Sequence, residues 1–482
     1  MINDKYEPVI GLEVHAQLKT NTKLFCSCST KFGMPPNTNV CPICLGHPGV
    51  LPVTNKKVIE FAVLLGLATN CNINSKSIFA RKNYFYPDLP KGYQISQFEK
   101  PICEFGYINV LPKNGTEVRI GITRIHMEED AGKSIHDQGL NTLVDVNRCG
   151  VPLLEIVSEP DIRTAEEAVL YLTKLRQILT YLDICDGNME EGSLRCDANV
   201  SVRLKGAKEF GTKTEIKNMN SFKNVEKAIN FEIERQIEII EDGGKIIQQT
   251  LLWNADKNFA SPMRSKEESH DYRYFPDPDL VPVVLDDKYI NSIKEKLPVL
   301  PETRKQIFIE KYNLPVYDSE VLTNEKPFAD YFETAAQNIS DYKLLSNWMM
   351  GDILKYLNEN KISINNFTFS ANNLAKLVTL INKGVISNKI AKDIFINLIE
   401  KNSDPEEYIK SNNLIQLSDT FEIEKIIDEV INQNVAEVEK YLSGKQNVIG
   451  FFVGQIMKQS KGKANPQLVN KILKDKLDNY KL

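Results

Sequence analysis

The hydrophobic pattern of this 482-residue chain changes once, near residues 290–300, and that change limits what it can fold into. Before it, apolar residues recur at every second position in runs such as Val9–Leu18 and Leu194–Arg203, separated by Gly/Pro turns. After Pro298 and Pro301 they recur at helical spacing, and glycine thins out. A period of two places successive side chains on opposite faces of a strand, whereas a period of 3.6 builds one apolar stripe on a helix. All five histidines and all nine cysteines precede the change. Helices are expected in the first part as well. They are Asn55–Ala68 behind a Thr54-Asn55 cap signal, Ala168–Leu182 behind the capping-box pair Thr164/Glu167, and Val225–Ile240, stopped by Gly243-Gly244. The expectation is an α+β N-terminal region over residues 1–293, followed by two all-α regions, 294–405 and 406–482, divided near Asn402-Ser403-Asp404-Pro405.

Composition narrows the function classes. No stretch approaches ~18 consecutive apolar residues, so no membrane span is expected. The opening Met-Ile-Asn-Asp-Lys-Tyr-Glu-Pro has no basic segment leading into an apolar run, so no signal peptide is expected. Together these point to a cytoplasmic protein whose cysteines are thiols or metal ligands. The net charge of −5 argues against a surface coated with basic groups, so nucleic-acid contact needs a local patch. Gln455–Leu482 offers one, with seven lysines, among them Lys458, Lys461 and Lys463, against two aspartates.

Cys26-x-Cys28 and Cys41-x-x-Cys44 are separated by twelve residues. Two close pairs on turns can set four thiolates tetrahedrally around one zinc, a closed structural site. The competing reading is four unligated thiols in a turn-rich loop. Cys71, Cys103, Cys149, Cys185 and Cys196 show no partner spacing and are expected to be inert.

Three strand-like runs carry acidic groups. Alternation over Val9–Leu18 places Glu13, His15 and Gln17 on one face, suited either to half of a metal site or to a solvated edge. Arg124–Asp130 ends in the acidic run Glu128-Glu129-Asp130. Leu153-Leu154-Glu155-Ile156-Val157 sets one carboxylate inside an apolar strand, which is costly unless the charge meets a cation. Carboxylate and imidazole donors with open positions suit magnesium or manganese carrying phosphates. The polar faces that hold Glu191, Arg195 and Lys217 suit the floor of a cleft for an anionic ligand.

Absent motifs also inform. Ala131-Gly132-Lys133-Ser134 ends like a P-loop, but the required upstream glycine is replaced by Met127. There is no Gly-x-Ser-x-Gly elbow and no convincing glutaminase centre, so ammonia, if used, comes from another polypeptide.

The runs VIGLEVHAQL, RKNYFYPDLPKGYQISQF, RIHMEEDAGKS, LLEIVSEPD, MEEGSLRCDANVSV, EIKNMNSF, DYRYFPDPDL, SNWMMGDI and GFFVGQIMKQSKGKANPQLVN, in this order over nearly the whole chain, resemble the B subunits of the aspartyl/glutamyl-tRNA amidotransferases. The resemblance implies a catalytic cradle similar to the glutamine synthetase and guanido kinase group, then a helical domain, then a small helical tail that holds tRNA. It implies partners: the glutamine-hydrolysing amidase and a further small protein, which complete a heterotrimer, and misacylated tRNA. It also implies ATP-dependent phosphorylation of the side-chain carboxylate of Glu-tRNA(Gln) or Asp-tRNA(Asn), followed by amidation with ammonia. By the same resemblance, Glu13, His15, Glu129 and Glu155 match the magnesium ligands, and Lys82 and Lys91 match positions near the end of the ammonia path. The four cysteines match the zinc-bearing branch. Two other classes compete: a non-catalytic, zinc-containing tRNA scaffold, and a small-molecule carboxylate–amine ligase, which the Lys-rich tail speaks against.

Overall fold

The computed structural model describes residues 5–135, 141–263, 272–415, 420–460 and 464–480. It divides into two compact units, Met1–Pro301 and Glu302–Leu482. The first is mixed α/β around a large sheet, and the second is helical.

Nine strands form the main sheet: β1 (Tyr6–Gln17), β2 (Asn72–Ile73), β3 (Cys103–Val110), β4 (Val118–Glu129), β5 (Pro152–Ser158), β6 (Leu194–Leu204), β7 (Thr214–Lys217), β8 (Thr250–Asn254) and β9 (Phe259–Pro262). Their spatial order is β9-β8-β7-β6-β1-β5-β4-β3-β2. Every neighbouring pair is antiparallel except β7 and β8. β1 is therefore central, with long partners on both sides. Its Ile10, Leu12, Val14 and Ala16 are buried, as alternation requires.

Three helices pack on that apolar face: α1 (Lys56–Ala68), α2 (Ala165–Tyr181) and α3 (Phe222–Glu241). Each starts where the sequence supplies a cap. Asn55, Thr164 and Ser221 side chains accept from Lys57, Glu167 and Asn224 backbone N–H groups. In α2 the Glu167 carboxylate in turn accepts from Arg163 N at 2.7 Å. α4 (Asp287–Lys294) adds Ile293 to the same core. A three-stranded sheet of Phe275–Pro276, Ala80–Asn83 and Tyr93–Ser96 carries the lysine-bearing segments.

The second unit holds two separate cores. One runs from Phe308 to Ile409 around Phe332, Trp348 and Phe369; the other gathers Ile423, Ile427, Phe452, Ile456, Leu473 and Leu477. The second is small, so each large side chain carries much of its stability. Leu473→Ala, at a fully buried position, is expected to cost about 2–5 kcal/mol. The loss should appear as earlier proteolysis of Thr420–Asp478 in a thermal series.

In the first of these cores Asp318 accepts from Ser346 Oγ at 2.6 Å and faces Lys343 Nζ. Burial alone would raise its pKa, but hydrogen bonds from Lys343 and Ser346 outweigh burial and hold it below the usual carboxylate value. The folded value lies below the unfolded one of about 3.9, so the stabilisation is complete above that pH and is lost as pH falls through the folded value. Asp318→Asn is expected to flatten the acid limb of the stability–pH curve, read from urea midpoints below about pH 4.

Candidate metal site and tetrathiol loop

The face of the sheet opposite α1–α3 gathers charge by register. His15 lies opposite Glu155 on β5 and opposite Arg195 on β6, and Glu155 lies opposite His126 on β4. Because strand side chains alternate, Arg124, His126 and Glu128 share this face. His15 Nε2 stands 3.4 Å from Glu155 Oε2, 3.5 Å from Glu128 Oε1 and 3.6 Å from Glu13 Oε1. His126 Nε2 stands 3.3 Å from Glu155 Oε2 and 3.7 Å from Glu128 Oε2. Within each of two triads, Glu13–His15–Glu155 and His126–Glu128–Glu155, the ligand atoms lie within 4.8 Å of one another, a span that one cation can bridge.

The electrostatics agree. Glu128, Glu155 and His126 are each at most 5% exposed, and clustered carboxylates at such depth need cations. Burial pushes Glu155 up, but His126 and His15 outweigh it and hold this carboxyl well below the usual range. Burial pushes His126 down, but Glu155 and Glu128 outweigh it and hold the imidazole up at about 9. Burial and Glu155 together raise Glu13. His126 Nδ1 is buried and has no partner among the described residues.

Glu129, which the resemblance matches to a ligand, lies outside this cluster in this structure. It follows Glu128 on β4, so alternation turns it to the side of Ile125 and Met127. There its carboxylate is held by Lys91 Nζ and accepts from Ile95 N at 2.9 Å. Glu128, His126 and Arg124, which the sequence reading left within an acidic run without assigning them, do lie at the cluster. The signal was present: Ile125 and Met127 mark the apolar face, and His126 therefore shares its face with Glu128.

The other expected residues divide. Lys82 lies 4.8 Å from the Tyr272 ring centroid, beside a wall in which Tyr274 stacks on Phe98 at 4.2 Å. Burial opposes its charge, but Tyr274, Glu128 and Glu155 outweigh it and raise its pKa. Arg195 donates to Asp130 at 2.9 Å, while its Nε is buried and has no partner among the described residues. Lys217 pairs with Asp197 at 2.6 Å and Glu215 at 2.9 Å. Glu191 is exposed in the turn before β6, with its N–H donated to Asn188, and among the described residues no ion pair joins it to the cluster. Lys458 is exposed on the helix Ile449–Gln459, whereas Lys461 and Lys463 lie outside the described residues.

The four cysteines do converge. Their sulfurs lie within 4.8 Å of one another, with Cys41 and Cys44 Sγ 3.9 Å apart. The backbone N–H of Cys41 points at Cys44 Sγ at 3.2 Å. Lys23, fully buried, places Nζ 3.6 Å from Cys44 Sγ and 2.7 Å from Asn39 O. A buried ammonium beside four thiols fits a site that becomes anionic on losing its protons, as a zinc site of four thiolates does.

The chain matches two described families: the GatB/GatE catalytic domain over residues 8–291 and the GatB domain over residues 330–477. A protein of Chlorobium phaeobacteroides, named as the B subunit of aspartyl/glutamyl-tRNA(Asn/Gln) amidotransferase, is 58% identical over 473 residues, covering 98% of this chain and 99% of its own. Proteins of the same name from Trichlorobacter lovleyi and Oleidesulfovibrio alaskensis are 57% and 56% identical, with the same 98% and 99% coverage. With matches this long and this even along the chain, the protein belongs to the family of aspartyl/glutamyl-tRNA(Asn/Gln) amidotransferase B subunits.

Proposed function

We propose that this chain carries the ATP-dependent half of tRNA amidation. It phosphorylates the side-chain carboxylate of a misacylated Glu-tRNA(Gln) or Asp-tRNA(Asn) and replaces the phosphate with ammonia delivered by a partner amidase. The observation that carries this reading is the convergence of Glu13, His15, Glu128, His126 and Glu155 on one face of the sheet. Oxygen-rich donors of this kind fit Mg2+, and Glu13, His15, Glu128 and Glu155 would hold it. When bound, the cation supplies charge neutralisation to the β/γ-phosphate oxygens of ATP.

The chain's own groups perform the rest. A free carboxylate is a poor acceptor for ammonia; transfer of the γ-phosphoryl group makes the carbonyl carbon attackable and gives it a leaving group. Arg124, on the same strand face and 3.8 Å from Glu155, and Lys82 would meet the phosphates. Arg195 and Lys217 extend that basic side, with Glu191 at its edge. Ammonia attacks the carbonyl carbon, the C–O bond to phosphate breaks, and the attacking nitrogen sheds a proton. The Lys91–Glu129 pair lies at the end of the ammonia path in this reading, where the Glu129 carboxylate can take a proton from ammonium. Zinc on Cys26, Cys28, Cys41 and Cys44 is structural.

The wider reading follows the resemblance. Residues 1–293 form a cradle of the glutamine synthetase and guanido kinase type, 294–405 a helical domain, and 406–482 a tail whose Lys458, Lys461 and Lys463 meet tRNA. The complex is a cytoplasmic heterotrimer of this chain, the amidase and the further small protein. No described helix is long and apolar enough to cross a membrane.

The test is reconstitution with the amidase and the small protein, Glu-tRNA(Gln), ATP and glutamine, scoring Gln-tRNA(Gln) and ADP together. Coupled formation of both supports the proposal. Binding of tRNA with no ATP turnover would replace it with the scaffold reading.

A further inference from the structure

The tetrathiol loop and the Lys91–Glu129 pair are neighbours, although they lie far apart in sequence. One small cavity of about 20 Å³, room for roughly a single water, is lined by Lys23, Cys26, Cys44, Lys91, Glu129 and Gly150. The loop that follows Cys41 turns back through bonds from Leu45 N to Cys41 O and from Gly46 N to Ile43 O, both 3.1 Å. That turn brings Gly46, at φ +70°, directly onto Lys91. A Cβ at Gly46 would overlap Lys91 Cγ and would stand 3.0 Å from Lys91 Cα. The stem of Lys91 is thus clamped by backbone two residues beyond a proposed zinc ligand, while its ammonium is held by Glu129. The lysine side chain is 9% exposed and the glutamate 3%.

We infer that the tetrathiol loop, when closed by zinc, is the positioning element for Lys91 and through it for Glu129. A zinc site with four protein ligands has no open position for chemistry, so its influence on the reaction runs through what its loop packs against. Opening the loop removes Gly46 from the lysine stem and frees a side chain with many rotamers. The inference rests on the reading that places Lys91 and Glu129 on the ammonia path, but its test does not depend on turnover.

The test is acetic anhydride labelling of the full chain, read at Lys91 by peptide mass spectrometry, before and after a chelator withdraws zinc, with circular dichroism to follow the fold. Reactivity of Lys91 should rise about fivefold or more as its clamp opens locally and fall again when zinc is restored, while Lys217, across the sheet, stays unchanged. Gly46→Ala should raise Lys91 labelling even with zinc still bound. Gly49→Ala is the control: it shares the left-handed backbone, at φ +83°, but has open space around its Cβ position. Unchanged Lys91 labelling in both the zinc-free chain and Gly46→Ala would overturn the inference, as would equal effects of Gly46→Ala and Gly49→Ala. If labelling behaves as expected but Lys91→Ala leaves glutamine-dependent amidation intact, the positioning role stands and the ammonia-path reading falls.

Discussion

Glutamine in place of Glu155 should lower ATP-dependent amidation at least ~10³-fold, equivalent to about 4 kcal/mol of transition-state stabilisation, and ammonium chloride in place of glutamine should not restore it. Glu155 is the group on which the cluster closes, with both His15 and His126 within 3.4 Å of one of its oxygens. It belongs to both triads able to hold a cation. Glutamine keeps the shape and one acceptor oxygen but removes the charge, so the cation is lost without opening a cavity. Failure of ammonium rescue is the informative part, because it separates loss of carboxylate activation from loss of nitrogen supply. The measurement is initial rate with each nitrogen source at saturating ATP. Activity within about tenfold of the parent would remove Glu155 from the reaction centre.

The second large effect is on stability. Glu129→Gln leaves the Lys91 ammonium buried without its counter-ion, and losing one partner of a buried pair costs about 3–5 kcal/mol. The glutamine oxygen can still accept from Ile95 N, so the loss reflects the uncompensated charge rather than that hydrogen bond. Adding Lys91→Met should therefore recover much of the loss, since exchanging both partners for neutral groups of similar volume is nearly neutral. Urea midpoints of the single and double variants provide the cycle. A single-variant loss below about 1 kcal/mol would mean that the pair behaves as a solvated surface contact.

Much of this was legible in the residues. Alternation over Val9–Leu18 gave β1 and the shared face of Glu13 and His15, and that strand is the centre of the sheet. The caps at Asn55 and Thr164 and the Gly243-Gly244 stop located α1, α2 and the end of α3. The cysteine spacing led to sulfurs that do converge. The carboxylate inside Leu153–Val157 marked Glu155, because only a cationic neighbourhood offsets such burial. The choice between adjacent glutamates was not legible in the residues alone. Resemblance pointed to Glu129, whereas strand geometry allows only one of two successive residues on the face of His15, and Met127 and Ile125 claim the other face. Pairing between strands was not legible either. Nothing local says that His126 comes level with Glu155, because register is set by the whole buried face. The approach of Gly46 to Lys91 is likewise a tertiary fact, invisible until two loops meet.

We propose one divalent cation among Glu13, His15, Glu128 and Glu155, with Glu129 outside it. Mn2+ titration followed by electron paramagnetic resonance tests this directly on the parent chain, Glu128→Gln and Glu129→Gln. One tight site is expected in the parent and in Glu129→Gln, and its loss in Glu128→Gln. Retention of the site in Glu128→Gln together with its loss in Glu129→Gln would contradict the proposal.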